Sequence, residues 1–152
     1  MRNRWMKLRD CLLLASFAAL AAGCTFENGT EIQTEHFTVK QRDWQWNNDY
    51  KRYEYIFDYA GLGRDIYEEG TVLGGVYVNE VDPGGGTYEV LKTLPYVESF
   101  PYQNRSYTRT ISFDIAPRQV TFYIQSSDLS DDEGDLGTYE FKITLVWERE
   151  RR

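Results

Sequence analysis

The stretch YEFKITLVW, at residues 139–147, decides the fold, because every second residue along it is apolar without a break. Its odd-numbered residues are all apolar: Tyr139, Phe141, Ile143, Leu145 and Trp147. The residues between them include Glu140, Lys142 and Thr144. Successive side chains of a β-strand point to opposite faces of a sheet, so this pattern predicts a strand with one packed face and one wet face. Such one-sided burial is common in antiparallel sheets.

The same alternation recurs along the chain from about residue 34. It predicts strands at residues 36–43, 51–59, 71–79, 87–93, 107–115 and 120–125. About seven strands separated by turn residues indicate an all-β fold, an antiparallel two-sheet β-sandwich of the immunoglobulin-like or a related type. Residues 64–69 fit either a short strand or a single helical turn.

Two details of these strands carry structural expectations. Gly74 and Gly75 lie in the middle of a predicted strand, which indicates a bulge or a close backbone approach. Arg109 interrupts the apolar row of another strand, and we interpret its position as near a rim.

A different pattern marks the start of the chain. Four basic residues, Arg2, Arg4, Lys7 and Arg9, precede an apolar run from Cys11 to Ala22. This run is too short to cross the roughly 30 Å of a bilayer's hydrocarbon core. Its length and basic flank are typical of a secretory signal.

Leu20-Ala21-Ala22-Gly23-Cys24 resembles the lipobox of bacterial lipoproteins, although that family prefers Leu where Ala21 stands here. The resemblance implies cleavage before Cys24, a diacylglyceryl group on its thiol and often acylation of the new amine. Each buried methylene contributes about 0.8 kcal/mol, so two or three acyl chains would anchor the protein firmly. The alternatives are an ordinary signal peptide, which leaves Cys24 as a free thiol, and a membrane-spanning signal anchor.

These patterns divide the chain into a lipoprotein signal peptide (1–23), a lipidated tether (24–33), a β-sandwich domain (34–148) and a charged tail (149–152). A domain of this size buries roughly two-thirds of its unfolded surface and needs no cross-links. No disulfide is expected, because Cys11 leaves with the signal and Cys24 would carry lipid. Thr25 follows the cysteine in place of Asp, and by resemblance to lipoprotein sorting this favours the outer membrane, on its periplasmic or its cell-surface side.

The charge balance limits the partners. The chain carries 17 Lys and Arg against 24 Asp and Glu, a net charge of −7. Loss of the signal would remove four basic residues and Asp10, which leaves −10. Nucleic acid phosphates and anionic lipid heads repel such a surface. We therefore expect no nucleic acid partner, contact with the membrane only through the lipid, and a neutral or cationic protein or glycan partner.

Catalytic motifs are scarce. The chain has one histidine, His36, and no G-x-S-x-G elbow to pair with it. One histidine and one mature cysteine do not supply the ligands of a zinc site. We expect neither an enzyme nor a cofactor.

Two clusters are candidate binding sites. The acidic segment 128–135 offers Asp128, Asp131, Asp132 and Asp135 as oxygen ligands for calcium. Its spacing is not that of an EF-hand, and the alternative is a solvated hairpin loop whose charges discourage edge pairing. The second cluster is aromatic, and exposed rings there would stack on sugar faces, whereas the alternative places at least one row in the core: Trp44, Trp46, Tyr53 and Tyr55.

Four short motifs extend over most of the mature chain: Phe37-Thr-Val-x-x-x-Asp43-Trp44, Glu69-Gly70-Thr-Val72 leading to Val76-Tyr77, Leu94-Pro95-Tyr96 and Tyr139-x-Phe141-Lys142. They resemble a group of small secreted lipoproteins known mainly from gut Bacteroidetes. The resemblance implies an immunoglobulin-like or related sandwich and carries no activity or functional residues. Three classes of function stay open: a non-enzymatic binding or structural module, which we favour, a glycan-binding surface lipoprotein, and an enzyme or enzyme inhibitor.

Overall fold

The computed structural model describes residues 29–102, 105–131 and 136–149. Thr30–Arg149 form one compact unit, and the other unit, residues 1–29 with 150–152, lies outside the described residues except for Gly29. The strands are β1 (Gly29–Val39), β2 (Gln45–Asn47), β3 (Arg52–Asp58), β4 (Thr71–Val81), β5 (Thr87–Thr93), β6 (Tyr96–Tyr102), β7 (Arg105–Ala116), β8 (Gln119–Ser126) and β9 (Tyr139–Arg149). A 3-10 turn (Gln41–Asp43) precedes β2, and one helix, α1 (Arg64–Glu69), precedes β4.

The strands form two antiparallel sheets. The four-stranded sheet has the order β1-β9-β4-β5, and the five-stranded sheet has the order β2-β3-β8-β7-β6. This confirms the predicted all-β two-sheet sandwich, with nine strands in the described part of the chain where about seven were expected.

Aromatic rings join the two sheets. Phe122 of β8 and Phe141 of β9 are fully buried, and their rings stack with centroids 4.1 Å apart and an interplanar angle of 16°. Phe37 of β1 contacts Phe122 at 5.5 Å and Phe57 at 5.0 Å. As the alternation predicts, Phe141, Ile143 and Leu145 are fully buried on one face of β9.

Gly74 is the predicted close backbone approach. A Cβ atom at this position would lie 2.3 Å from Cε1 of Phe113, a residue of the opposite sheet. Only glycine therefore leaves room for the Phe113 ring against β4.

β1 differs from its expected extent at both ends. It begins at Gly29, inside the segment that we assigned to the tether, and it ends at Val39, before the 3-10 turn. Most side chains of its first half are at least partly exposed, so they show no apolar period. Backbone pairing with β9 holds this edge strand, together with a 3.1 Å hydrogen bond between the Thr34 and Thr144 hydroxyls.

β6 was not predicted, because Pro101 indicated a break. Proline cannot donate a ladder hydrogen bond, but an edge strand tolerates it, and β6 is the edge of the five-stranded sheet. Residues 64–69, which the sequence left open, form α1, with Ile66 buried. The described residues include no helix long and apolar enough to cross a membrane.

The expectation that Arg109 lies near a rim is wrong, because the residue is buried. Only 9% of the residue is exposed. Its Nε and Nη2 atoms donate to Oε2 of Glu98 at 3.1 and 2.6 Å, and its guanidinium lies 4.7 Å from the Phe100 ring. A carboxylate on the neighbouring strand allows this charge to remain in an apolar row.

Candidate functional site

The larger described cleft, which we call the Trp44 cleft, has a volume of about 790 Å³. Three segments meet there: the 3-10 turn, β3 and the connection that leads into β9. The backbone N–H of Gln41 donates to Oγ1 of Thr138 at 3.2 Å, which ties the turn to that connection. The lining residues are Lys40, Gln41, Arg42, Trp44, Tyr53, Leu136 and Thr138.

Two fixed aromatic rings form the floor of the Trp44 cleft. Nε1 of Trp44 donates to the carbonyl oxygen of Gly137 at 3.0 Å, and the Tyr53 hydroxyl donates to that of Asp131 at 2.7 Å. Each residue is only 7% exposed. Trp44 and Tyr53 therefore belong to the core, as one of the two alternatives for the aromatic cluster predicts.

Polar and charged side chains form the rim of this cleft. Lys40, Gln41 and Arg42 are exposed, and Nε of Arg42 lies 3.7 Å from Oδ1 of Asp43. A rigid aromatic floor below a few hydrogen-bonding groups is typical of small-molecule sites, whose volumes are about 300–1,000 Å³.

A smaller cleft, which we call the Trp46 cleft, has a volume of about 480 Å³. Its lining residues are Gln45, Trp46, Asn47, Asn48, Glu54, Tyr55 and Ile56. The four aromatic residues singled out from the sequence are thus divided between two clefts. The Trp46 and Tyr53 rings contact each other at 5.0 Å across β2 and β3, yet the four rings do not form one platform.

An ionic network that the sequence did not reveal supports the Trp46 cleft. Glu54 accepts hydrogen bonds from Nδ2 of Asn47 at 2.5 Å and from Nε of Arg52 at 3.0 Å. Nη2 of Arg52 also donates to Asp114 at 2.7 Å, and its guanidinium lies 4.1 Å from the Tyr123 ring. Burial lowers the pKa of Arg52, but the hydrogen bonds to Asp114 and Glu54 outweigh it and raise that pKa overall. In the sequence, only the spacing of Arg52 and Glu54, two residues apart on one face of a strand, could have indicated this network.

The acidic segment is described only in part. Asp128 and Asp131 are exposed, whereas Asp132 and Asp135 lie outside the described residues. Oδ1 of Asp128 accepts hydrogen bonds from the hydroxyl and the backbone N–H of Ser130, which lower the pKa of the carboxyl. Within residues 29–102, 105–131 and 136–149, no three His, Cys, Asp or Glu side chains converge as metal ligands.

The remaining candidates are His36 and Cys24. His36 is half-exposed, stacks on Tyr77 at 5.9 Å and has Nδ1 3.5 Å from Oε1 of Glu140. Cys24 lies outside the described residues, so its lipidation stays a prediction.

Comparisons with protein-family models, with curated proteins and with solved structures found no match to this chain. The geometry of the two clefts and the sequence around Cys24 therefore carry the functional argument.

One buried polar atom belongs to the residue that directly follows β3. The Tyr59 hydroxyl has no hydrogen-bond partner among the described residues, although the residue is only 6% exposed. Burial raises the pKa of this phenol, and the charge of Glu35 adds to the effect.

Replacing the hydroxyls of Tyr53 and Tyr59 should have opposite effects on stability. Tyr53→Phe removes a made hydrogen bond and should lower the free energy of unfolding by about 1 kcal/mol. Tyr59→Phe removes an unpaired buried hydroxyl and should raise it by about 1 kcal/mol. Urea denaturation at pH 7 measures both changes, and a loss of stability in Tyr59→Phe would show that this hydroxyl has a partner.

The stability of Tyr59→Phe and that of the parent chain should also respond differently to alkaline pH. The folded state holds the Tyr59 proton more tightly than the unfolded state, so stability is intact below the unfolded pKa of about 10 and falls as the pH rises above it. Tyr59→Phe should therefore lose less stability than the parent chain between pH 9 and pH 11.

Proposed function

We propose that this chain is a lipoprotein, anchored in the outer membrane through Cys24, whose β-sandwich is a non-enzymatic binding module. The observation that carries the proposal is the Trp44 cleft, with two immobilised aromatic rings below an exposed polar rim. Because hydrogen bonds already hold the two rings, a ligand would not pay the entropic cost of ordering them.

The charges around the Trp44 cleft favour a neutral ligand. Lys40 and Arg42 on the rim repel a cation, whereas the acidic balance of the whole chain disfavours an anion. The Lys40, Gln41 and Arg42 side chains all supply hydrogen-bond donors. Leu136, Trp44 and Tyr53 supply apolar contact. We therefore infer a ligand with hydrogen-bond acceptors on one side and an apolar body on the other.

The Trp46 cleft favours a second candidate function, glycan binding. Trp46 and Tyr55 are half-buried, so part of each ring faces solvent. Amide groups of Gln45, Asn47 and Asn48 border these rings. Planar amides hydrogen-bond to sugar hydroxyls, and a ring face packs against the apolar face of a sugar.

The lipid anchor is tested by replacing one sulfur. Cys24→Ala should abolish incorporation of labelled palmitate and leave the precursor uncleaved, because the acyl chains have no other attachment point. Cys11→Ala is the matched control and should keep full labelling. Undiminished labelling of Cys24→Ala would contradict the anchor.

The binding function is tested by thermal-shift and glycan-array screens of the full chain against neutral small molecules and oligosaccharides. A ligand of the Trp44 cleft should lose at least tenfold in affinity, about 1.4 kcal/mol, in Gln41→Ala or Arg42→Ala, and none in Trp46→Ala. A glycan of the Trp46 cleft should show the reverse. Silence across the glycans contradicts the second function, and ligands indifferent to both sets of variants contradict both clefts.

A further inference from the structure

On one side of β3, a neighbouring strand covers only the first half of the strand. β2 pairs with β3 over three residues and stops at Gln45↔Glu54. On the other side, β3 stays paired with β8 as far as Asp58↔Gln119. Residues 55–58, which we call the open edge, have no strand beside them on the β2 side among the described residues. We propose that the open edge accepts an extended segment of another polypeptide as an additional strand.

The free backbone groups of the open edge can be identified. The N–H of Tyr59 donates to the carbonyl oxygen of Arg118, at the start of β8, at 2.8 Å. In an antiparallel strand the N–H and C=O of one residue point to the same side, and successive residues alternate. The N–H and C=O groups of Ile56 and Asp58 therefore face away from β8. Since no strand in the described part of the chain pairs with these groups, they are a template for another strand.

The course of the preceding chain explains why the edge is free. Trp44 is fixed to Gly137 through its indole N–H, and Gln41 is bonded to Thr138. Residues 41–44 therefore lie against the start of β9 in the other sheet. They cannot continue the line of β2 alongside β3.

Burial along β3 supports this independently. Tyr53, Tyr55, Phe57 and Tyr59 share the inward face of the strand. Tyr53 and Tyr59 are buried, whereas Tyr55 and Phe57, at the open edge, remain half-exposed. The Trp46 cleft begins here and is lined by Tyr55 and by Ile56, which is 54% exposed. An added strand would cover these side chains and place one of its own in the cleft.

The charges at the edge indicate the kind of partner. Asp58 is exposed and takes part in none of the ion pairs of the described residues, whereas Glu54 is already paired with Arg52. A basic residue of the added strand could therefore form an ion pair with Asp58. The chain's own net charge of −7 disfavours a second copy. The occupant that fits is a basic, β-prone segment, in the mode of strand addition.

The test uses the full chain and a synthetic acetylated heptapeptide in which Val alternates with Lys and Thr. In the free protein the amides of Ile56 and Asp58 should exchange with solvent quickly, and those of Tyr55 and Phe57 slowly. Saturating peptide should slow exchange at Ile56 and Asp58 at least tenfold. A peptide with Glu in place of Lys should bind at least tenfold more weakly, and an N-methylated peptide should not bind.

Three variants localise the effect. Ile56→Pro removes an N–H that faces the open side and no β8 hydrogen bond, so it should abolish peptide binding. Ile56→Thr keeps that N–H and should still bind. If Ile56→Pro fails to fold by circular dichroism, the N-methylated peptide provides the same test. Asp58→Asn should weaken binding of the Lys peptide at least threefold.

Several outcomes would overturn the proposal. Protection of Ile56 and Asp58 in the free chain would show that its own residues cover the edge, and protection that rises with protein concentration would indicate a second copy. Binding that ignores N-methylation would exclude strand addition. The experiment separates this proposal from the proposed function, since a ligand of the Trp44 cleft, or a glycan in the Trp46 cleft, would leave exchange at Asp58 unchanged.

Discussion

The stack of Phe122 on Phe141 is the contact on which the rest of the structure depends. Their centroids lie 4.1 Å apart, and neither residue is exposed. β8 lies between β3 and β7 in one sheet, and β9 lies between β1 and β4 in the other. Each sheet alone would leave an apolar face in water, so the two sheets are stable only when these faces bury one another.

The same core positions the candidate sites. Trp44 packs edge-on against Phe141 with centroids 6.3 Å apart, and this holds the 3-10 turn against β9. One consequence is a cleft whose aromatic floor is rigid. The other is that the chain begins to pair with β3 only at Gln45, opposite Glu54, which leaves residues 55–58 uncovered. The Trp44 cleft and the open edge therefore have the same cause, the packing of Trp44 against Phe141.

The period of two residues was enough to predict the sandwich, because burial on one face imposes it on β3, β7, β8 and β9. It failed in the first half of β1, which backbone pairing and not burial holds, and it missed β6, where Pro101 indicated a break in a strand that lies at the sheet edge. It also could not place Arg109 or Arg52, whose carboxylate partners include residues distant in sequence, Glu98 and Asp114. The aromatic cluster was recognised, but its division between two clefts depends on the turn before Gln45, which interrupts the alternation.

The central claim is that Phe122 and Phe141 stabilise the fold through each other across the two sheets. A double-mutant cycle with Phe122→Leu and Phe141→Leu, measured by urea unfolding, tests it most directly. The account predicts a coupling free energy of about 0.5–1.5 kcal/mol, and no coupling between Phe141 and Phe100, whose ring stacks on Tyr107 instead. Losses from Phe122→Leu and Phe141→Leu that add to within about 0.3 kcal/mol would contradict the account.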